Sequence, residues 1–128
     1  LYAEAEQVYR RFFEEDGKVA VAGKGPSQEV LALIAGPFVD SYRAERDALL
    51  GVTATGYGDI QYVAPAPGLA DLGSDVAVAV CVDGSDYVAY GQGKELGHLP
   101  IRQSVFFFKR VDESLKIWWQ HSSKVASC

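Results

Sequence analysis

The fold is decided by residues 101–124, IRQSVFFFKRVDESLKIWWQHSSK, near the end of the chain. Residues 101–111 and 115–124 are two β-rich runs of similar length, and Asp112-Glu113-Ser114 between them reads as a turn, so the stretch predicts a long antiparallel hairpin. Alternation puts Arg102, Ser104, Phe106, Phe108 and Arg110 on one face of the first run, with Gln103, Val105, Phe107, Lys109 and Val111 on the other. Trp118 and Trp119 likewise point to opposite sides. One face must meet the rest of the core. The other would expose Trp and Phe unless something covers it, which makes Phe106, Phe108, Trp118 and Trp119 the candidate interface; a core divided between an inner cavity and a covering loop is the alternative.

Upstream, the same period of two continues. Residues 76–82 alternate Val with Ala and Cys and read as a central strand covered on both sides. Residues 52–63 are rich in Thr, Tyr and Val but broken by Gly56 and Gly58, which predicts one bent or bulged strand, closed by the Pro65-Ala66-Pro67-Gly68 turn. Residues 87–90 are a shorter strand. Gly91-Gln92-Gly93 with Gly97 lacks the spacing of a phosphate loop, and His98-Leu99-Pro100 opens no helix, so a flexible hairpin loop with an exposed His98 is expected.

Before Gly51 the period is helical. Leu1, Ala5, Val8 and Phe12, widened by Tyr2, Tyr9 and Phe13, form the apolar stripe of a helix ending near Gly17. A second helix begins around Pro26 with Ser27 as cap and turns Val30, Leu31 and Ile34 inward. A third starts at Pro37, buries Phe38, Val39, Tyr42, Leu49 and Leu50, and stops at Gly51. Helices first and an antiparallel sheet afterwards make an α+β domain, with N-terminal helices packed on a curved antiparallel sheet.

Composition sets the outer bounds. The 128 residues, 48% hydrophobic and 23% charged, suit a single soluble domain spanning 1–128. A net charge of −5 argues against nucleic acid as a partner. No apolar run approaches the roughly 18 residues of a membrane helix. The charge is uneven: residues 48–93 hold no Lys or Arg but include Asp59, Asp71, Asp75, Asp83 and Asp86, whereas from Lys94 onward bases predominate. Such segments either pair across strands or form solvated faces. The chain has no Met and starts at Leu1 in helical register, so an upstream segment is expected: a signal peptide, a lipid-anchor sequence or a membrane helix.

The 9–13 helix turn, the strand end Val80-Cys81-Val82-Asp83, the 109–119 hairpin and Cys128 together resemble the cystatin-like α+β roll of the nuclear transport factor two and SnoaL-like superfamily. Within it the likeness is to small secreted or lipid-anchored actinobacterial domains. The resemblance implies a roll that often dimerises through its open sheet, and a fold that hosts isomerases, cyclases and many non-enzymes. Only Cys81 and Cys128 exist; the resemblance, with the expected upstream segment, implies an oxidising compartment and a bridge between them. The alternative is a buried free Cys81 and a free terminal thiol. A bridge would be worth on the order of 4 kcal/mol in the chain-entropy model.

Catalytic and metal signatures are weak. Two cysteines without a matching histidine pair make no zinc site, and no Gly-x-Ser-x-Gly elbow frames a serine. The resemblance makes Tyr9, Tyr42, Tyr57, Asp59, Tyr62 and His121 the candidate cavity residues, though no enzyme motif aligns with them. His121, in register with Leu115, Ile117 and Trp119, is either a hydrogen-bonded histidine at a core edge or a cavity residue. The expectation is an extracellular or envelope-associated, non-catalytic binding or interaction domain, needing no cofactor, whose partner is a protein or a small apolar ligand. A homodimer is compatible with it, and a membrane enters only through an upstream anchor. The competing expectation is an isomerase or cyclase using a cavity carboxylate and tyrosines.

Overall fold

The structure, a computed structural model, describes residues 1–68 and 73–128; Asp71 of the acidic middle lies outside the described residues. Helix α1 (Tyr2–Ala22) buries Ala5, Tyr9, Phe12, Asp16 and Val19, which recur at alternating steps of four and three. It runs past its expected end. Gly17 is buried, and a Cβ there would stand 3.2 Å from the Tyr57 ring, so the glycine serves a close approach and not a stop. The stop is Gly23, in the left-handed region, where the amides of Gly23 and Lys24 bond the carbonyls of Ala20 and Val19.

Ser27 caps α2 (Gln28–Leu31) as expected, its Oγ accepting from the Val30 amide at 3.2 Å. The helix is a single turn because residues 33–35 are drawn to the sheet: the Ile117 amide donates to the Leu33 carbonyl and the Ala35 amide to that of Ile117, each at 2.9 Å. Helix α3 (Pro37–Ala48) buries Phe38, Tyr42 and Arg46. Leu49 and Leu50, expected inside, are 37% and 55% exposed, since the helix ends before them and they leave its buried stripe.

Among the described residues seven strands follow, in two antiparallel sheets. One has the order β2 (Asp59–Pro65), β3 (Val76–Asp83), β6 (Ile101–Val111), β7 (Ser114–Val125), and the other β1 (Thr53–Ala54), β4 (Val88–Gly91), β5 (Lys94–His98). The long hairpin and the central strand stand where the sequence puts them. The single bent strand does not: residues 52–63 supply strands to both sheets. Gly56 marks the break, because the Tyr87 ring occupies the place of a side chain, 2.2 Å from where a Cβ would lie. Strand β5 is an addition to the expected hairpin loop, whose Gln92 and Gly93 take positive φ; His98 is exposed, its Nδ1 2.8 Å from the Ser85 carbonyl.

The main core lies between the helices and the inner face of the larger sheet. Phe106 sits 4.9 Å from the Tyr9 ring and 6.0 Å from Phe12, centroid to centroid. Phe106 and Phe108, named above for an interface, are 4% and 0% exposed, because the even positions of β6 face the helices. Trp118 falls at the register shift opposite Phe107 and Phe108, lies against Gly36, and carries Lys109 Nζ 4.6 Å from its ring. Trp119 stands on the outer face, packed with Phe107, Val105, Ala77 and Ala66 in a smaller cluster.

A disulfide joins Cys81, buried in β3, to Cys128, with Cα atoms 6.0 Å apart, so the chain's last residue is tied to its central strand. Among the described residues no helix is long and apolar enough to cross a membrane. The acidic and basic segments meet at Arg110: its amide donates to Asp75 Oδ2 at 2.8 Å, while its guanidinium pairs with Glu4 of α1. The architecture is α+β, an N-terminal helix packed against antiparallel sheets.

Candidate functional site

Helices α1 and α3, the inner face of β3 and β6, and the smaller sheet enclose a cavity of about 350 Å³. Its walls are mainly apolar: Phe12 and Phe13 come from α1, Val80 and Val82 from β3, Phe106 from β6, and Leu96, Leu99 and Pro100 from β5 and beyond. The smaller sheet forms a separate wall, with Ala54 of β1 and Ala89 of β4 lining the space.

Asp16 is the centre of the polar wall. It is 6% exposed and accepts two hydroxyl hydrogen bonds, from Tyr42 to Oδ1 at 2.6 Å and from Tyr57 to Oδ2. Helix α1, helix α3 and the segment between β1 and β2 are thereby clamped through one carboxylate. Burial, then the charge of Asp16 and the hydrogen bond to it, hold the Tyr57 and Tyr42 hydroxyls far above the usual tyrosine range. Tyr9, whose ring lines the cavity, is pushed up by burial, against the opposing charges of Arg10 and Arg102.

Among the described residues, three further charged groups line the wall. Arg46 is 4% exposed, and its Nε and Nη2 both donate to the Lys24 carbonyl, at 3.2 and 2.9 Å. Glu45 is exposed at the rim; desolvation of its carboxyl, then the charge of Asp16, raise its pKa, with Arg102 and Arg46 opposing. Arg102 stands exposed at the mouth on β6, and Ser104, two residues further in, donates to Ser122 Oγ at 2.9 Å.

Of the six cavity candidates, Tyr9 and Tyr57 line the cavity, and Tyr42 is tied to its wall only through the hydrogen bond to Asp16. The other three lie elsewhere. Asp59 opens β2, is exposed, and accepts from the Tyr87 hydroxyl at 2.7 Å. Tyr62 and His121 are on the outer sheet face, where with Gln103 and Ser123 they edge a shallow groove of about 180 Å³; the shift between Ile60 and Tyr62 fixes that side. No group of His, Cys, Asp and Glu among the described residues is arranged to hold a metal ion.

Asp16 and Arg46 escaped the sequence reading although each carries a signal. Asp16 sits four residues after Phe12 and three before Val19, in the buried stripe, and Arg46 sits four after Tyr42. A charge in an apolar register marks a buried polar group in need of partners. Arg102 and Glu45 carry no such mark, because only the tertiary fold brings β6 and α3 to one opening. No family model, curated protein or solved structure matches the chain.

Proposed function

We propose that the domain is a non-catalytic, extracytoplasmic binding module that takes a small, largely apolar ligand into the inner cavity. The observation that carries this reading is the cavity itself: about 350 Å³, walled by Phe, Val and Leu side chains, with a few fixed polar groups on one side. That is the size and character of small-molecule sites in general. We read the whole as a roll of the nuclear transport factor two and SnoaL-like kind, on the order of its elements. The disulfide between Cys81 and Cys128 favours an oxidising compartment. A protein partner or second copy on the aromatic sheet face has less support, since Phe106 and Phe108 belong to the core.

The test is titration with N-phenyl-1-naphthylamine, a neutral apolar fluorophore. One saturable site is expected, lost when Ala89→Trp fills the cavity from β4 while melting stays cooperative. No binding by the wild-type protein, or equal binding by both, contradicts the reading.

A second reading, proton transfer by a cavity carboxylate, draws support from buried Asp16 between two tyrosines. Both carboxylate oxygens are already engaged, and both hydroxyls are spent on Asp16 in place of a substrate oxyanion. We therefore expect no acceleration of 3-cyclohexenone conversion to 2-cyclohexenone; acceleration abolished by Asp16→Asn would favour the enzyme.

A further inference from the structure

We propose that the ligand of the cavity is an amphipathic organic anion, its apolar body against Phe12, Phe13, Val80 and Leu99 and its carboxylate on Arg102 at the mouth. The inference rests on the binding reading above and adds the chemistry of the head group.

It follows from which polar groups of the wall are already committed. Asp16 is taken up by Tyr42 and Tyr57, and these hydroxyls by Asp16. Two nitrogens of Arg46 are fixed on the Lys24 carbonyl, and Ser104 is bonded to Ser122. Among the described residues, the side chains of Arg102 and Glu45 alone of the charged wall groups have neither a hydrogen bond nor an ion pair.

Arg102 is the better anchor of the two. A guanidinium is charged at every physiological pH and offers a planar fork of donors matched to a carboxylate. Desolvation and the charge of Asp16 raise the pKa of the Glu45 carboxyl, with Arg102 and Arg46 opposing. The inner face of β6 also grades inward in the order such a ligand requires: exposed Arg102, then Ser104 at 8% exposure, then Phe106 at 4%. One strand thus presents charge at the mouth, a hydroxyl below it and an aromatic ring at depth.

The experiment displaces N-phenyl-1-naphthylamine from the intact protein with three probes of one chain length: decanoate, 1-decanol and decylammonium. Decanoate is expected to displace it at a concentration about tenfold below that of 1-decanol, as a charge-assisted pair at a half-open site allows. In Arg102→Gln that ratio is expected to fall to about one, whereas Lys94→Gln, which removes an exposed cation at the start of β5 and outside the cavity wall, keeps it. Equal displacement by decanoate and decanol, preference for decylammonium, or a ratio unmoved by Arg102→Gln overturns the anionic head group while the binding reading stands. Failure of the fluorophore to bind wild-type protein at all overturns both.

Discussion

Asp16 occupies a position where the stripe of α1 otherwise holds Ala5, Tyr9, Phe12 and Val19, and its burial is tolerable because two hydroxyls supply hydrogen bonds that water would otherwise give. Deleting one of them should cost what a hydrogen bond to a charged group is worth, so Tyr57→Phe is expected to lower unfolding free energy by about 1–3 kcal/mol in urea denaturation. The pH dependence follows from the same contacts. Tyr9, Tyr42 and Tyr57 have folded pKa values above their unfolded value of about 10, so the folded state holds their protons more tightly. Their contribution is complete below about pH 10 and is lost as pH rises above it, because the unfolded chain then ionises first. Stability should fall steeply above about pH 10, and Tyr57→Phe should flatten the slope; an unchanged slope would mean that Tyr57 titrates like a free phenol.

Among elements, the join between α3 and β7 leaves no room for a side chain at Gly36. Gly36 takes φ 61°, and a Cβ there would lie 2.4 Å from the Trp118 ring, so Gly36→Ala meets both backbone strain and a clash. A loss of about 2–4 kcal/mol is expected in thermal or urea melts, recovered in part by Gly36→Ala combined with Trp118→Leu, which removes the ring. Local signals of this kind made much of the fold legible in the sequence. Ser27 and Pro37 mark their boundaries with side-chain chemistry, and the structure keeps them; the hairpin turn stands at its expected place but shortens to Asp112 and Glu113, with Ser114 already paired to Val111. Gly17 and Gly56 misled for one reason: each glycine makes room for a distant tyrosine ring, Tyr57 in one case and Tyr87 in the other, and such a need is invisible along the chain. The one-turn α2 is similar, since residues 33–35 leave the helix to bond Ile117 across the molecule.

At the scale of the whole molecule, the Asp16 clamp and the disulfide are long-range ties that join elements far apart in the chain. Cys128→Ser opens a loop of 47 residues and is expected to cost up to about 4 kcal/mol, with thiol titration of the folded wild type finding no free cysteine. The cavity was legible only in part. Tyrosines could be named from the sequence, but Asp59, Tyr62 and His121 were assigned to the cavity without knowledge of register, and the observed pairing leaves Tyr62 and His121 on the outer face. Both Trp118 and Trp119 lie outside the cavity wall, so a ligand in the cavity and a partner on the outer sheet perturb different residues. The most direct measurement is therefore a heteronuclear NMR titration of the protein with N-phenyl-1-naphthylamine. The account predicts saturating shifts at Val80, Val82, Leu96 and Leu99, with the Trp119 indole and Val105 unmoved. Shifts confined to Trp119, Val105 and Phe107, or none at all, would contradict it.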